Sequence, residues 1–336
     1  MIVRTWNLFH GNTYPPGRKA YLREMIELVT ADRPDVVCLQ EVPGWALSHL
    51  GDWANMQSVW TRARRSGIGP FPVPAAVGRG LTAPHHGVIR SGFAGQGNVI
   101  LFPAEAKVRE DKSITLNTNP FCEENGRLFG LTPKQMIAWE KERRVLHLVQ
   151  YELPNRLRFL VANVHASHLT DTRLADAELR RGINFVIRCS ELEEALIVGG
   201  DFNVTPEAST TVQELVTAPI ESRWRRAGTG IDQFLLRRAI ATSLRIWPNE
   251  ERMLKGKLLS DHAPVEIEVE GGEDMEVKGN IVDHEFEFER GGHKVAEASK
   301  RWLRVRDTYG VEIQPGQDDA LILACTVCID QMGRVG

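Results

Sequence analysis

The sequence predicts an α/β fold: one large domain followed by a small extension. Three observations carry that expectation. Apolar runs of strand length recur along the chain, at 2–7, 36–39, 98–102, 145–151, 158–164, 195–200, 231–236, 240–246 and 263–269. Segments with helical spacing alternate with them. Near residue 271 the composition breaks, and acidic residues crowd 270–289.

Taken in order, residues 18–31 place Leu22, Met25, Ile26 and Val29 at helical spacing, and Pro34-Asp35 ends that pattern before the strand Val36–Leu39. A second helix is expected near Trp45. Residues 61–97, dense in Gly, Pro and Arg, read as a long loop or insertion. The runs 145–151 and 158–164 read as a hairpin turning at Pro154-Asn155. Leu174, Leu179, Ile183 and Val186 mark a long amphipathic helix over 172–192, capped at Asp171 or Thr172. A short helix is expected at 206–217. The domain expectation is 1–270 for the main body. Residues 271–336 read as an acidic linker and a mostly helical extension, with helices at about 293–307 and 317–332.

A chain of 336 residues can bury a sizeable core. Its 42% hydrophobic and 25% charged content is that of an ordinary globular protein. A net charge of −3 argues against a protein that coats nucleic acid by positive charge alone, though a local basic groove remains compatible with it. No apolar run approaches the ~20 residues needed to span a bilayer. The opening lacks a secretory signal, and the five cysteines are scattered and odd in number, so a cytoplasmic setting is the expectation. Cys325 and Cys328 form a lone CxxC in an apolar run, which reads as core and not as a zinc site.

The polar residues that matter sit where strands end: Trp6-Asn7, Leu39-Gln40-Glu41, Asn163-Val164-His165, Gly199-Gly200-Asp201-Phe202-Asn203, Ile231-Asp232 and Ser260-Asp261-His262. Strand ends hold side chains on a rigid frame, where sites collect. Singly, each motif has an ordinary structural reading, as a solvated turn or a side chain that holds one. Together and in this order, such a set rarely co-occurs by accident. The carboxylates supply hard oxygen ligands of the kind Mg²⁺ takes, and the histidines and amides suit a charged phosphoryl group.

The set resembles the endonuclease/exonuclease/phosphatase superfamily, which includes deoxyribonuclease I-like nucleases, abasic-site endonucleases, inositol-phosphate 5-phosphatases and sphingomyelinases. The resemblance runs from residue 2 to about 269, and GGDFN and SDH are its most specific elements. It implies a four-layer α/β sandwich, with two mixed β-sheets face to face and helices outside. It also implies a metal-dependent hydrolase of phosphate esters, foremost a phosphodiesterase or nuclease. Mg²⁺ is the expected cofactor, with Mn²⁺ as a substitute, held by Glu41, Asp261 and Asn7. Asp201 is expected to orient or deprotonate the attacking water, Asn203 to donate to a phosphoryl oxygen, and His262 to contact the scissile phosphate with Asp232 behind it. His165 is preferred over His168 as the second histidine. Where some family nucleases carry a Glu, this chain has Gly95-Gln96-Gly97-Asn98, so Asn98 or Gln96 takes that place, with Asn7 and Asn98 as substrate contacts. The substrate is a phosphate ester, with DNA or RNA among the candidates. A phosphatase or phosphodiesterase of small or lipid-linked phosphates is the alternative, and a silent binding module on the same scaffold is the reading from another class. A partner for 271–336 is not specified.

Overall fold

The computed structural model describes residues 1–152, 158–191, 194–219, 222–271, 275–280, 285–290, 293–299, 310–314 and 319–334. The chain divides into two compact units, Met1–Gly271 and Gly272–Gly336.

Twelve strands build the two large sheets of the first unit: β1 (Ile2–Asn7), β2 (Val36–Pro43), β3 (Gln57–Arg64), β4 (Gln96–Phe102), β5 (Lys107–Thr115), β6 (Val145–Glu152), β7 (Arg158–His165), β8 (Ala195–Asp201), β9 (Arg225–Ala227), β10 (Asp232–Arg237), β11 (Ala239–Ile246) and β12 (Val265–Gly271). One six-stranded sheet runs β11-β12-β1-β2-β4-β3, the other β9-β10-β8-β7-β6-β5. Each is mixed, because β1 pairs parallel with β2 and β7 parallel with β8, within otherwise antiparallel ladders.

Alternation along the strands explains the layers, since successive side chains point to opposite faces. Val3, Val36, Ile100 and Phe102 of the first sheet meet Val149, Val161, Ile197 and Phe234 of the second in one buried cluster. On the far side of the first sheet, Trp6, Val37, Leu39 and Val99 pack against Leu22, Met25, Ile26 and Val29 of helix Leu22–Val29. On the far side of the second, Leu160, Leu196 and Val198 pack against Leu179, Ile183 and Val186 of helix Thr172–Cys189. Helix, sheet, sheet, helix is a four-layer α/β sandwich. Burial on both faces is why the central strands read as continuous apolar runs.

Toward one end of the inter-sheet layer the inward positions turn polar. Gln40 Nε2 donates to Asn163 Oδ1 (2.7 Å) and Thr5 Oγ1 (2.9 Å). Asn163 Nδ2 donates to the carbonyls of Leu39 (2.9 Å) and Val99 (2.8 Å). The polar residues of the LQE and NVH motifs therefore form a strut between the sheets. Asn163→Leu keeps the branching of the side chain but strips partners from buried groups. It is expected to cost about 3 kcal/mol, read as a lower urea midpoint at unchanged slope. A cost below about 1 kcal/mol would mean the strut carries no weight.

Several expectations need correction. Residues 61–97 are not a loop. They hold the end of β3, a small hairpin (Gly67–Ile68 with Phe71–Pro72) and helices Ala75–Thr82 and His86–Ala94, before entering β4. Pro74 stands immediately before the first of these helices, and Gly95, at φ 66°, ends the second; the same Gly and Pro that suggested a loop mark element ends. Strand β5 and helices Asn119–Phe129 and Pro133–Glu140 gave no signal. β5 is an edge strand whose residues are mostly exposed and charged, so it lacks alternation of apolar residues. The helix expected near Trp45 is short and starts later, at Leu50–Ala54. β6 and β7 pair antiparallel; the turn at Pro154-Asn155 lies outside the described residues.

The second unit is not a linker with helices. Its described residues form a four-stranded antiparallel sheet, Met275–Asn280, Glu285–Arg290, His293–Ser299 and Gly310–Ile313, and one helix, Asp319–Arg334. The alternating acidic and apolar residues of 285–290 have period two, so Phe286 and Phe288 face inward, with Val295, Ala296, Ala298 and Ile322 in the same small core. The expected helix at 293–307 begins as strand; 300–309 lie outside the described residues.

Candidate active site

Just beyond the polar strut, the next inward positions converge. Asn7 ends β1, His165 ends β7, Asp201 ends β8 and Asp232 opens β10. His165 and Asp201 are register partners, as are Asp201 and Asp232. The double glycine before Asp201 has a steric reason. A Cβ on Gly200, at φ 149°, would lie 2.0 Å from the Val164 carbonyl oxygen, and one on Gly199 would meet the Phe234 ring at 2.4 Å.

Glu41 does not follow simple alternation. The register of β2 on β4 shifts between Leu39 and Val42, and Glu41 has φ 53°. This β-bulge re-aims its side chain. Phe9 and His10 likewise carry φ of 49° and 56°, a conformation costing about 1–3 kcal/mol each. It brings His10 Nε2 to 3.1 Å from Glu41 Oε2.

A cavity of about 330 Å³ results, lined by Glu41, His165, Asp201, Asn203, Asp261 and His262 from the sequence-derived set. Phe9, His10, Gln96, Glu142, Arg144 and His168 line it as well. Asn7 and Asp232 stand behind this lining. Asn7 Nδ2 donates to Asp201 Oδ2 (2.9 Å), and its Oδ1 accepts from the Phe9 amide (3.0 Å). Asp232 Oδ2 lies 2.7 Å from His262 Nδ1. Asn98 is not brought to the cavity. Its amide donates to the carbonyls of Val145 and Asn163 (3.1 and 3.2 Å), one inward position deeper than Gln96, which does reach the opening.

Sequence reasoning missed His10 and Arg144. The only available signals were the Phe9-His10-Gly11 turn after Asn7 and a basic pair before β6. His168, ranked below His165, lies in the same wall, with its Nδ1 2.9 Å from Asn203 Oδ1. The Ser260–His262 turn is pinned from below. Trp6 Nε1 and Arg252 Nη1 both donate to the His262 carbonyl (3.0 and 2.7 Å), and Ser260 Oγ donates to the Asn7 carbonyl (2.7 Å).

The electrostatics are differentiated. Burial and the nearby Asp232 charge push Asp201 up to about 7, against the pull of His262 and the Asn7 hydrogen bond. Burial opposes a charge on His262, but the hydrogen bond and charge of Asp232, with Asp201 beyond, outweigh it and raise the imidazole to about 10. His165 goes the other way. Burial and the Arg144 guanidinium, whose Nη1 is 2.9 Å from His165 Nε2, hold it well below the usual histidine value. For Glu41, burial is outweighed by His10, His165 and Arg144, so its carboxyl stays well below the ordinary range.

Ligand atoms of Asp201, Asp232 and His262 lie within 4.8 Å of one another. The short Asp232–His262 contact commits two of them to each other. Glu41, Glu142, Asp201 and Asp261 are the cavity carboxylates outside that pair. A larger cavity of about 620 Å³ runs along helix Thr172–Cys189, but its acid, Asp176, is taken by Ser209 and Thr210.

A two-sheet sandwich with carboxylates and histidines at one end defines the class to which metal-dependent phosphoesterase folds belong. The chain is a member of the endonuclease/exonuclease/phosphatase family, whose profile matches residues 5–262. A second profile, LURP-one-related, matches residues 250–330. Among solved structures, the human Nocturnin catalytic domain with bound sulfate is 15% identical with a TM-score of 0.52, covering 80% of this chain and 93% of that one. A humanized D. rerio TDP2 is 15% identical at 0.53, covering 80% and 98%. A mannosyl-6-phosphatase from Bacteroides thetaiotaomicron is 13% identical at 0.50, covering 80% and 99%. At these identities the likeness is one of fold. Comparison with curated protein sequences finds no match. No helix among the described residues is long and apolar enough to cross a membrane.

Proposed function

We propose that this chain is a divalent-metal-dependent hydrolase of phosphate esters, and in particular a phosphodiesterase acting on nucleic acid. The observation that carries this reading is the opposed tuning of two groups across one cavity. Asp201 is poised near neutrality, and His262, 3.9 Å from it, is held protonated by Asp232. A carboxylate that can take a proton facing an imidazolium that can give one is what displacement by water at phosphorus needs.

The donor set suits Mg²⁺, with Mn²⁺ as a substitute. Glu41 is kept anionic by its surroundings, and it and Asp261 offer hard carboxylate oxygens to the cavity. Asn7 contributes less directly, because both ends of its amide are engaged; it fixes Asp201. When bound, the metal supplies charge neutralisation on the phosphoryl oxygens. Asp201 accepts the proton of the attacking water. His262 donates to a phosphoryl or leaving oxygen. Asn203 keeps a second amide N–H beyond the one given to the Ala166 carbonyl. Neutral His165, steadied by Arg144, flanks the phosphate with His168.

The test is nicking of supercoiled plasmid by the full chain with Mg²⁺, beside EDTA and His262→Ala. Metal-dependent nicking reduced about 10²–10⁴-fold in the variant is expected. Folded protein that nicks no plasmid but hydrolyses small or lipid-linked esters would move the substrate class. Inertness toward every ester would favour a silent binding module.

A further inference from the structure

A second cavity, of about 440 Å³, lies behind the wall of the first. Its lining includes Arg18, Arg79, Trp45, Trp53 and His86. His10 stands between the two linings, and its ring meets Glu41 on the catalytic side. On the other side, the His10 carbonyl accepts a hydrogen bond from His86 Nε2.

The cavity is built and cationic. The Gly87 amide donates to the Gly17 carbonyl (2.8 Å), and the His86 amide to the Arg18 carbonyl (3.2 Å). A Cβ on Gly87 would lie 2.5 Å from the Gly17 oxygen, so the clamp between this loop and helix His86–Ala94 requires glycine there. Two other cations of the rim are spoken for: Lys19 by Glu24 (3.2 Å) and Arg23 by Glu27 (2.8 Å). Arg18 and Arg79 have no acidic partner among the described residues. Arg79 lies over the Trp45 ring at 4.3 Å from its centroid, which orders the guanidinium without neutralising it. The buried Trp45 Nε1 has no hydrogen-bond partner. Two unneutralised guanidinium groups are donors waiting for an anion.

We propose that this cavity is a subsite for a second phosphate of the same molecule whose scissile ester occupies the catalytic cavity. The enzyme would then select substrates with at least two phosphoryl groups. The substrate role rests on the phosphoesterase reading; the anion site itself does not.

The experiment uses the full chain and the double variant Arg18→Ala/Arg79→Ala, both exposed positions. Steady-state kinetics are taken on bis(p-nitrophenyl) phosphate, a short oligonucleotide and a sugar bisphosphate. In parallel, metal-free protein is titrated with pyrophosphate by calorimetry. The double variant is expected to raise KM about tenfold on a two-phosphate substrate, at unchanged kcat, and to leave the single-phosphate ester unaffected. Loss on the oligonucleotide alone assigns a nucleic-acid backbone, and loss on the bisphosphate alone a small molecule. Pyrophosphate binding should weaken similarly in the double variant and persist in His262→Ala. Equal pyrophosphate affinity in wild type and double variant would overturn the subsite. If no ester is hydrolysed, the phosphoesterase reading fails, and the titration still decides the subsite.

Discussion

Asp201→Asn is expected to lower kcat by about 10³-fold with little change in KM. Asp201 is buried at the end of β8, where Oδ2 accepts from Asn7 Nδ2 (2.9 Å) and Oδ1 from the Asn203 amide (3.1 Å). Asparagine there has one oxygen to offer two donors, and it has no basic oxygen for a proton from water. The pH profile separates a base from a mere spacer. Asp201 acts ionised, so activity should rise as pH climbs through about 7; His262 acts protonated, so activity should fall through about 10. A divalent cation at Glu41 would move the rising limb lower. Stability should respond in the opposite sense. A carboxyl raised from 3.8 to about 7 binds its proton more tightly folded than unfolded, so its ionisation costs stability as pH rises across that window. The asparagine variant is spared that cost, and metal-free it should be at least as stable as wild type at pH 8. Full activity in this variant would remove Asp201 from the mechanism.

The fold was legible where burial on both faces left continuous apolar runs, as in Val36–Leu39 and Ala195–Val198. It was illegible where packing imposed no pattern, as in the exposed edge strand Lys107–Thr115, or where strand and helix periods were confused, as in His293–Ser299. The converging residues were legible for a related reason. Asn7, His165, Asp201 and Asp232 are terminal inward positions of strands whose registers align, so a motif at a strand end becomes a position in space. Asn98 shows the limit of that reasoning. One step of alternation separates a residue under the site from Gln96 in its wall. His10 and Arg144 were out of reach because backbone geometry brings them in. The left-handed turn at Phe9-His10 is a tertiary fact with no periodic signature, and so is the bulge that re-aims Glu41.

That bulge makes Glu41→Gln the most informative substitution in the first sheet. Turnover is expected to fall by about 10³-fold, equivalent to about 4 kcal/mol of lost charge stabilisation, and the calorimetric signal of Mg²⁺ binding should weaken with it. The two readouts must move together; lost turnover with Mg²⁺ affinity intact would reassign Glu41 to the phosphate. The same residue has a signature without metal. Burial alone would raise its carboxyl, yet His10, His165 and Arg144 hold it well below 4.5. A depressed carboxyl binds fewer protons folded than unfolded, so its stabilisation is complete above 4.5 and is lost as pH falls through the lower folded value. Urea unfolding of metal-free wild type should therefore show a loss of stability on acidification that Glu41→Gln lacks in part. Identical pH slopes would mean that the carboxylate is not anionic in its cage. The cage would then be a hydrogen-bonded structural cluster, and the metal would have to be sought at Asp261 without Glu41.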